Sequence, residues 1–149
     1  MDIRVQDAPF DLGHETQSFA TRQVGMGAVV TFTGIVRDVA GGLDAMQIEH
    51  YPGMTEKALT QIAEDAASRW NIGDILIIHR HGTLHADDMI MMVATASRHR
   101  KDAFEAAEFL MDYLKSRAPF WKKEATQDGK SWVDSKAEDE DALNRWSES

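Results

Sequence analysis

Apolar positions along the chain repeat with two periods, one of a strand and one of a helix. GAVVTFTGIV, Gly27 to Val36, is rich in β-branched residues and predicts a buried strand, with a turn at Ala40-Gly41-Gly42. AMQIEHY, Ala45 to Tyr51, alternates with period two and predicts its hairpin partner, closed by Pro52-Gly53. From Met54 to Trp70, the residues Leu59, Ile62, Ala63, Ala66 and Trp70 return at three- and four-residue spacing. They form one face of a helix that Asn71 and Gly73 stop. ILIIHRH (Ile75 to His81) and MIMMVATA (Met89 to Ala96) flank a connection with Gly82 and Asp87-Asp88, predicting a second hairpin. A second long helix is predicted from about Arg98 to Arg117, ending ahead of Pro119, which disfavours helix at its predecessor. A shorter one is predicted between about Glu15 and Arg22.

Strand, strand, helix, repeated, predicts one α+β domain over residues 1–149, with mostly antiparallel sheet and helices packed on one side. The acidic end KAEDEDALNRWSES is expected to be mobile from about residue 135.

Composition narrows the function. The chain is 43% hydrophobic, enough for a real core, and its formal charge of −9 argues against nucleic acid or an anionic membrane as partner. Charge is uneven: Arg98 to Lys123 holds seven Lys or Arg against four Asp or Glu, a net positive window in an acidic protein. There is no cysteine, which removes disulfides, thiolate metal sites and thiol nucleophiles, so any sulfur handled here arrives on another molecule. The N-terminus lacks a basic and an apolar signal region, and no apolar run nears the ~20 residues of a membrane span, so a cytoplasmic location is expected.

SRHRKDAF, Ser97 to Phe104, is an unusual helix start, because that end of the macrodipole favours carboxylates and here cations crowd it. On a wheel, Ala103, Ala106, Ala107, Leu110, Met111 and Leu114 share the buried arc. His99 and Arg100 extend that arc, while Arg98 and Lys101 point outward. Two inward cationic groups beside unpaired N–H groups make an anion cradle; an ordinary ion pair of Arg100 and a strand-capping His99 is the alternative. Lys115 sits at the edge of the apolar face in the last turn, and Pro119 redirects the chain so that Lys122 or Lys123 can fold back toward it. In an extended segment Phe120 and Lys122 share one side, Trp121 and Lys123 the other, so one lysine points inward. A lysine among apolar and cationic neighbours loses its proton more easily and suits nucleophilic or proton-carrying work, whereas a solvated lysine pair does neither. Phe109 falls among Asp102, Glu105 and Asp112 on the polar arc, which predicts a partner contact, a dimer contact or cover by the acidic end. His79, His81 and His85 lack a carboxylate or cysteine at a recognised metal spacing, and no glycine pattern matches a nucleotide-binding loop, so no metal and no cofactor is expected.

Taken in order, GAVVTFTGIVRD, IEHYPGMTEKAL, IIHRHGTL, SRHRKDAFEAAEFLMDYLK and RAPFWKKE make the chain resemble the large, catalytic subunit family of molybdopterin synthase. The resemblance covers most of Gly27 to Trp132. It implies a hammerhead-type α/β fold that forms a homodimer within a heterotetramer. It also implies a sulfurtransferase of molybdenum cofactor biosynthesis, converting cyclic pyranopterin monophosphate into the dithiolene of molybdopterin. Sulfur would come as a thiocarboxylate on the C-terminal Gly-Gly of a small ubiquitin-like carrier subunit, whose tail enters a pocket beside two lysines. On matching positions, Lys115 and Lys122 would be catalytic, and Arg37, His99, Arg100 and, from the other protomer, Lys136 would bind substrate. A non-catalytic module that binds a phosphometabolite or a partner's tail in the same basic pocket is the alternative.

Overall fold

The two most apolar runs of the sequence become neighbouring central strands. The computed structural model describes residues 1–38, 42–126, 129–133 and 137–147. In chain order the elements are β1 (Asp2–Gln6), α1 (Leu12–Thr21), β2 (Ala28–Ile35), β3 (Leu43–His50), α2 (Met54–Arg69) and β4 (Asp74–Arg80). Then follow β5 (Gly82–Leu84), β6 (Met89–Ser97), α3 (Arg100–Ser116), β7 (Phe120–Thr126), β8 (Gly129–Val133) and α4 (Ala137–Asn144). They build two four-stranded sheets, ordered β1-β4-β6-β2 and β5-β3-β7-β8. Only β1 with β4 is parallel; the other described pairings are antiparallel, the α+β arrangement that the pattern predicts.

β4 is apolar on both sides because both of its faces are covered. Ile75 and Ile77 join the larger core with Leu59, Ile62, Phe109 and Leu110 from α2 and α3, and with Met46, Ile48 and Leu84 from the second sheet. Leu76 and Ile78 face the other way, onto Phe19 of α1 and Met92 and Ala94 of β6. Each such side chain contributes about 1.5–3 kcal/mol by leaving water. α1 therefore lies on the face opposite α2 and α3, and the helices are not confined to one side. It starts at Leu12, ahead of the predicted Glu15, because the Asp11 carboxylate caps it by accepting from His14 N–H at 3.0 Å.

β4 and β6 pair as predicted, Asp74 opposite Ala96 through His79 opposite Met91. The first predicted hairpin does not form. β2 pairs with β6, while β3 pairs with β5 and β7 in the other sheet. Nor is β2 buried: it is an edge strand with Val29, Phe32 and Ile35 exposed at 37%, 41% and 58%. Its β-branched composition favours a strand but does not encode a central or edge position.

The end of the chain bears on two further expectations. Phe109 is 2% exposed, and of the three contacts predicted for it cover by the acidic end is the one formed within the chain. Trp70 at the end of α2 and Trp146 after α4 meet its ring edge-on, with centroids 5.4 Å and 5.5 Å away. Their indole N–H groups donate to Glu105 and Asp112, each at 2.7 Å, which explains acids and an aromatic on one arc of α3. The acidic end, expected to be mobile, carries α4 against α3, and Arg145 pairs with Glu108 at 2.9 Å and Asp112 at 2.6 Å.

Candidate active site

The candidate residues divide between the two ends of α3. At its C-terminal end Leu114 is buried and Lys115, one residue on, is exposed in the last turn, where the helix dipole favours a cation. Arg117 N–H closes the turn on Tyr113 O at 2.7 Å, and Phe120 N–H donates to Ala118 O at 2.8 Å as the chain turns into β7. This turn is pinned by Thr55, fully buried in the first turn of α2. Its hydroxyl accepts from Tyr51 N–H and donates to Pro119 O, both at 3.0 Å. From the other flank Ser116 Oγ donates to Asp139 O at 3.2 Å, and Arg117 pairs with Glu140 at 3.1 Å.

In β7, Phe120, Trp121, Lys122 and Lys123 stand opposite His50, Glu49, Ile48 and Gln47 of β3. Side chains alternate, and the contacts identify the faces. The Phe120 ring stacks on His79, centroids 3.8 Å apart and planes at 18°. Lys122 is on that same inner side, and of the charged groups around His79 it opposes protonation most strongly. Trp121 meets Tyr51 edge-on at 4.3 Å on the outer side. Lys123, also outward, lines a shallow trough of about 370 Å³ with Ala45, Gln47, Glu49, Thr83 and Ala125. The two adjacent lysines thus serve different surfaces.

A buried histidine backs the inner face of β7. His79 is 5% exposed; burial, the largest cause, pushes its pKa down to about 3, with Lys122, His81 and His50 adding to the effect and a bond to the Arg80 backbone opposing it. His81 stacks against His50 at 4.0 Å, and desolvation lowers its pKa as well. Among the described residues no group of three His, Cys, Asp or Glu is arranged to hold a metal. Arg37, exposed just past β2, belongs to this same end: β2 runs antiparallel to β6, and α3 returns along both strands.

At the N-terminal end of α3 the helix starts at Arg100, with His99 as an extended N-cap at φ −128° and ψ 148° that makes no side-chain capping bond. Arg98, His99, Arg100 and Lys101 are all exposed, so His99 and Arg100 do not continue the buried arc. The wheel reaches too far back: side chains are covered only from Ala103 onward. Asp102 in the first turn supplies a carboxylate and accepts from Asn71 N–H at 3.2 Å. Gly27 allows β2 to cross this end closely, since a Cβ there would lie 2.6 Å from Arg98 O. The cationic start is real, but it is a surface rather than an inward cradle.

At 1.5 Å per residue, Arg100 and Lys115 lie ~22 Å apart along the helix axis. One chain therefore groups Arg37, Lys115 and Lys122 at one end and His99 with Arg100 at the other. Lys136 lies outside the described residues. The sequence reading missed the bridge made by Thr55 and the stack of His79 on Phe120. The only signal for His79 is a histidine inside a run of apolar residues, ILIIHR.

Comparisons with known proteins agree on one family. Residues 5–117 match the family model described as MoaE protein. A Cereibacter sphaeroides relative named molybdopterin synthase catalytic subunit is 62% identical over 146 residues, covering 98% of this chain and 100% of the relative. The solved structure of a molybdopterin biosynthesis MoaE protein from Burkholderia ambifaria superposes with TM-score 0.84 at 51% identity, covering 99% of both chains. A molybdopterin synthase structure from Staphylococcus aureus gives TM-score 0.80 at 34% identity, covering 88% of this chain and 96% of that one.

Proposed function

The chain belongs to the MoaE family, and from that premise we propose that it is the catalytic subunit of a molybdopterin synthase. It moves sulfur from the C-terminal thiocarboxylate of a small ubiquitin-like carrier to cyclic pyranopterin monophosphate, in the cytoplasm and as a single domain. The observation that carries this reading is the grouping of Lys122, Lys115 and Arg37 at one end of a chain that has no cysteine. Such a site can hold anions and move protons but cannot carry sulfur itself.

Each transfer forms a carbon–sulfur bond on the pterin side chain as a carbon–oxygen bond at the same carbon breaks, the departing oxygen taking up a proton. Water then releases the carrier's acyl carbon as carboxylate and leaves a thiolate on the product. Lys115 and Lys122 orient the thiocarboxylate and neutralise charge that develops on its oxygen, and one of them moves the proton. Two thiolates require two loaded carriers in succession.

His99 and Arg100 are too distant to serve Lys122 of their own chain, so a second protomer supplies them. The exposed apolar edge of β2 supports this arrangement. Two such edges paired antiparallel about a twofold place the start of β2 in one protomer, beside His99 and Arg100, against the other's Arg37 end. Lys136 is assigned to the same shared site.

Incubation with precursor and thiocarboxylated carrier, followed by detection of the dithiolene, tests the activity; no product with both substrates bound would refute it. A module that only binds would keep its function with Lys115→Arg and Lys122→Arg, whereas proton transfer fails when a guanidinium replaces the amine.

A further inference from the structure

We propose that His79 is a positioning residue for Lys122, a buried imidazole that backs the inner face of β7 through Phe120 and offers the lysine amine a hydrogen-bond acceptor. The inference rests on the reading of Lys122 as a residue of the sulfur-transfer site.

His79 lies in β4 between Val5 of β1 and Met91 of β6, in a run otherwise apolar from Ile75 to Ile78. A buried polar ring is unfavourable there unless its nitrogens have partners. Nδ1 lies 2.8 Å from Arg80 O. A carbonyl only accepts, so Nδ1 carries the proton and Nε2 of the neutral ring is left with a lone pair. The Nδ1 bond joins adjacent residues of one strand and holds no other element in place. A leucine or phenylalanine would fill the site without needing it. The fold therefore does not account for the imidazole.

Its surroundings do, because strand alternation puts Lys122 on the face of β7 that the ring backs, opposite buried Ile48 of β3. Lys122, His81 and His50 each oppose a charge on the ring. Asp7 and Glu56 act on His81 behind it. The ring lies flat against Phe120, two residues before Lys122 on the same face of the strand. A carboxylate in this place would hold the ammonium by charge and keep its proton on. A neutral acceptor directs the amine while its proton stays exchangeable, as a group that must both stabilise an anion and move a proton requires.

The test uses full-length His79→Phe, which keeps the stack and removes the acceptor, and His79→Gln, which keeps an acceptor and removes the ring. Labelling of lysine amines by acetic anhydride across pH, read by mass spectrometry, reports on Lys122 with Lys115 as internal reference and needs no substrate. The expected result is a displaced labelling profile for Lys122 in His79→Phe, partly restored in His79→Gln, with Lys115 unmoved. Sulfur transfer should lose about tenfold in kcat with KM within about twofold, the signature of a misaimed group rather than lost binding. Independently of how the His79 variants fold, Lys122→Met should move the Nε2 nitrogen resonance of His79. An unmoved resonance, or an unchanged Lys122 profile in a folded His79→Phe, overturns the proposal. A wild-type protein that fails to transfer sulfur would instead sink the catalytic reading, and the labelling and resonance would still decide the pairing.

Discussion

Thr55→Val removes one oxygen and leaves the shape of the side chain nearly unchanged. That oxygen is fully buried and joins two segments, accepting from Tyr51 N–H and donating to Pro119 O at 3.0 Å each. A protein hydrogen bond contributes about 1 kcal/mol net, and a buried partner left unpaired costs about 1–3 kcal/mol. Tyr51 is exposed, so its N–H regains water in part, whereas Pro119 is half-buried behind the helix end. The expected loss is therefore roughly 2–3 kcal/mol, larger than the ~1 kcal/mol expected for Thr55→Ser, which keeps both bonds and loses a methyl group. Urea unfolding followed by tryptophan fluorescence measures both, with four tryptophans as reporters. Pro119 precedes Lys122 by three residues, so turnover should fall in Thr55→Val at urea-free conditions where the protein is still folded. A stability loss below about 0.5 kcal/mol, or one no greater than that of Thr55→Ser, would refute the reasoning.

Lys115→Ala and Lys122→Ala should each lower sulfur transfer by about 10²- to 10⁴-fold while Lys123→Ala stays near wild type, checked by single-turnover dithiolene formation. Arg100→Ala and Lys122→Ala should each be inactive alone. Mixed and re-equilibrated, they should recover about a quarter of wild-type activity, because half the dimers then hold one intact shared site; no recovery would return His99 and Arg100 to separate duties. Phe109→Ala should lose about 3–5 kcal/mol in chemical unfolding, since it opens a cavity under Trp70 and Trp146. His79 stays neutral in the fold to about pH 3 but takes a proton in the unfolded chain near the ordinary histidine pKa of about 6.5. Stability is therefore unaffected above about pH 6.5 and falls as pH drops toward 3, and His79→Phe should flatten that slope in acid-unfolding series.

Much of the fold was legible because period is a local property. The faces of α2 and α3 and the pairing of β4 with β6 follow from it directly. The partner of β2 was not legible: alternation defines a strand, but its neighbour is chosen by packing far along the chain, as Ala28 opposite Ser97 shows. Phe109 shows a related limit: a wheel drawn for one helix contains no second helix and leaves open which contact covers the ring, and it is Trp146 of the acidic end, thirty-seven residues further along, that does so. Of the candidate residues, helix position and strand alternation single out Lys115 and Lys122, while Arg37 follows only from the family resemblance; the topology leads all three to one end of α3. The separation of His99 and Arg100 from them needed the helix boundary at Arg100 and the length of α3.

The chain passes from one sheet to the other at every step from β2 to β7. No stretch of sequence corresponds to one sheet, and no cut between elements yields a half with its own complete set of strand partners. Unfolding should then have no intermediate in which one sheet survives, and hydrogen exchange at Ile48 of β3 and Val93 of β6 should converge on the same protection. An inherited or engineered change in this protein is accordingly not local in its thermodynamics. A residue at the far edge of β2 and a lysine in β7 share one folding equilibrium, and whatever weakens the first lowers the population in which the second is ready to act.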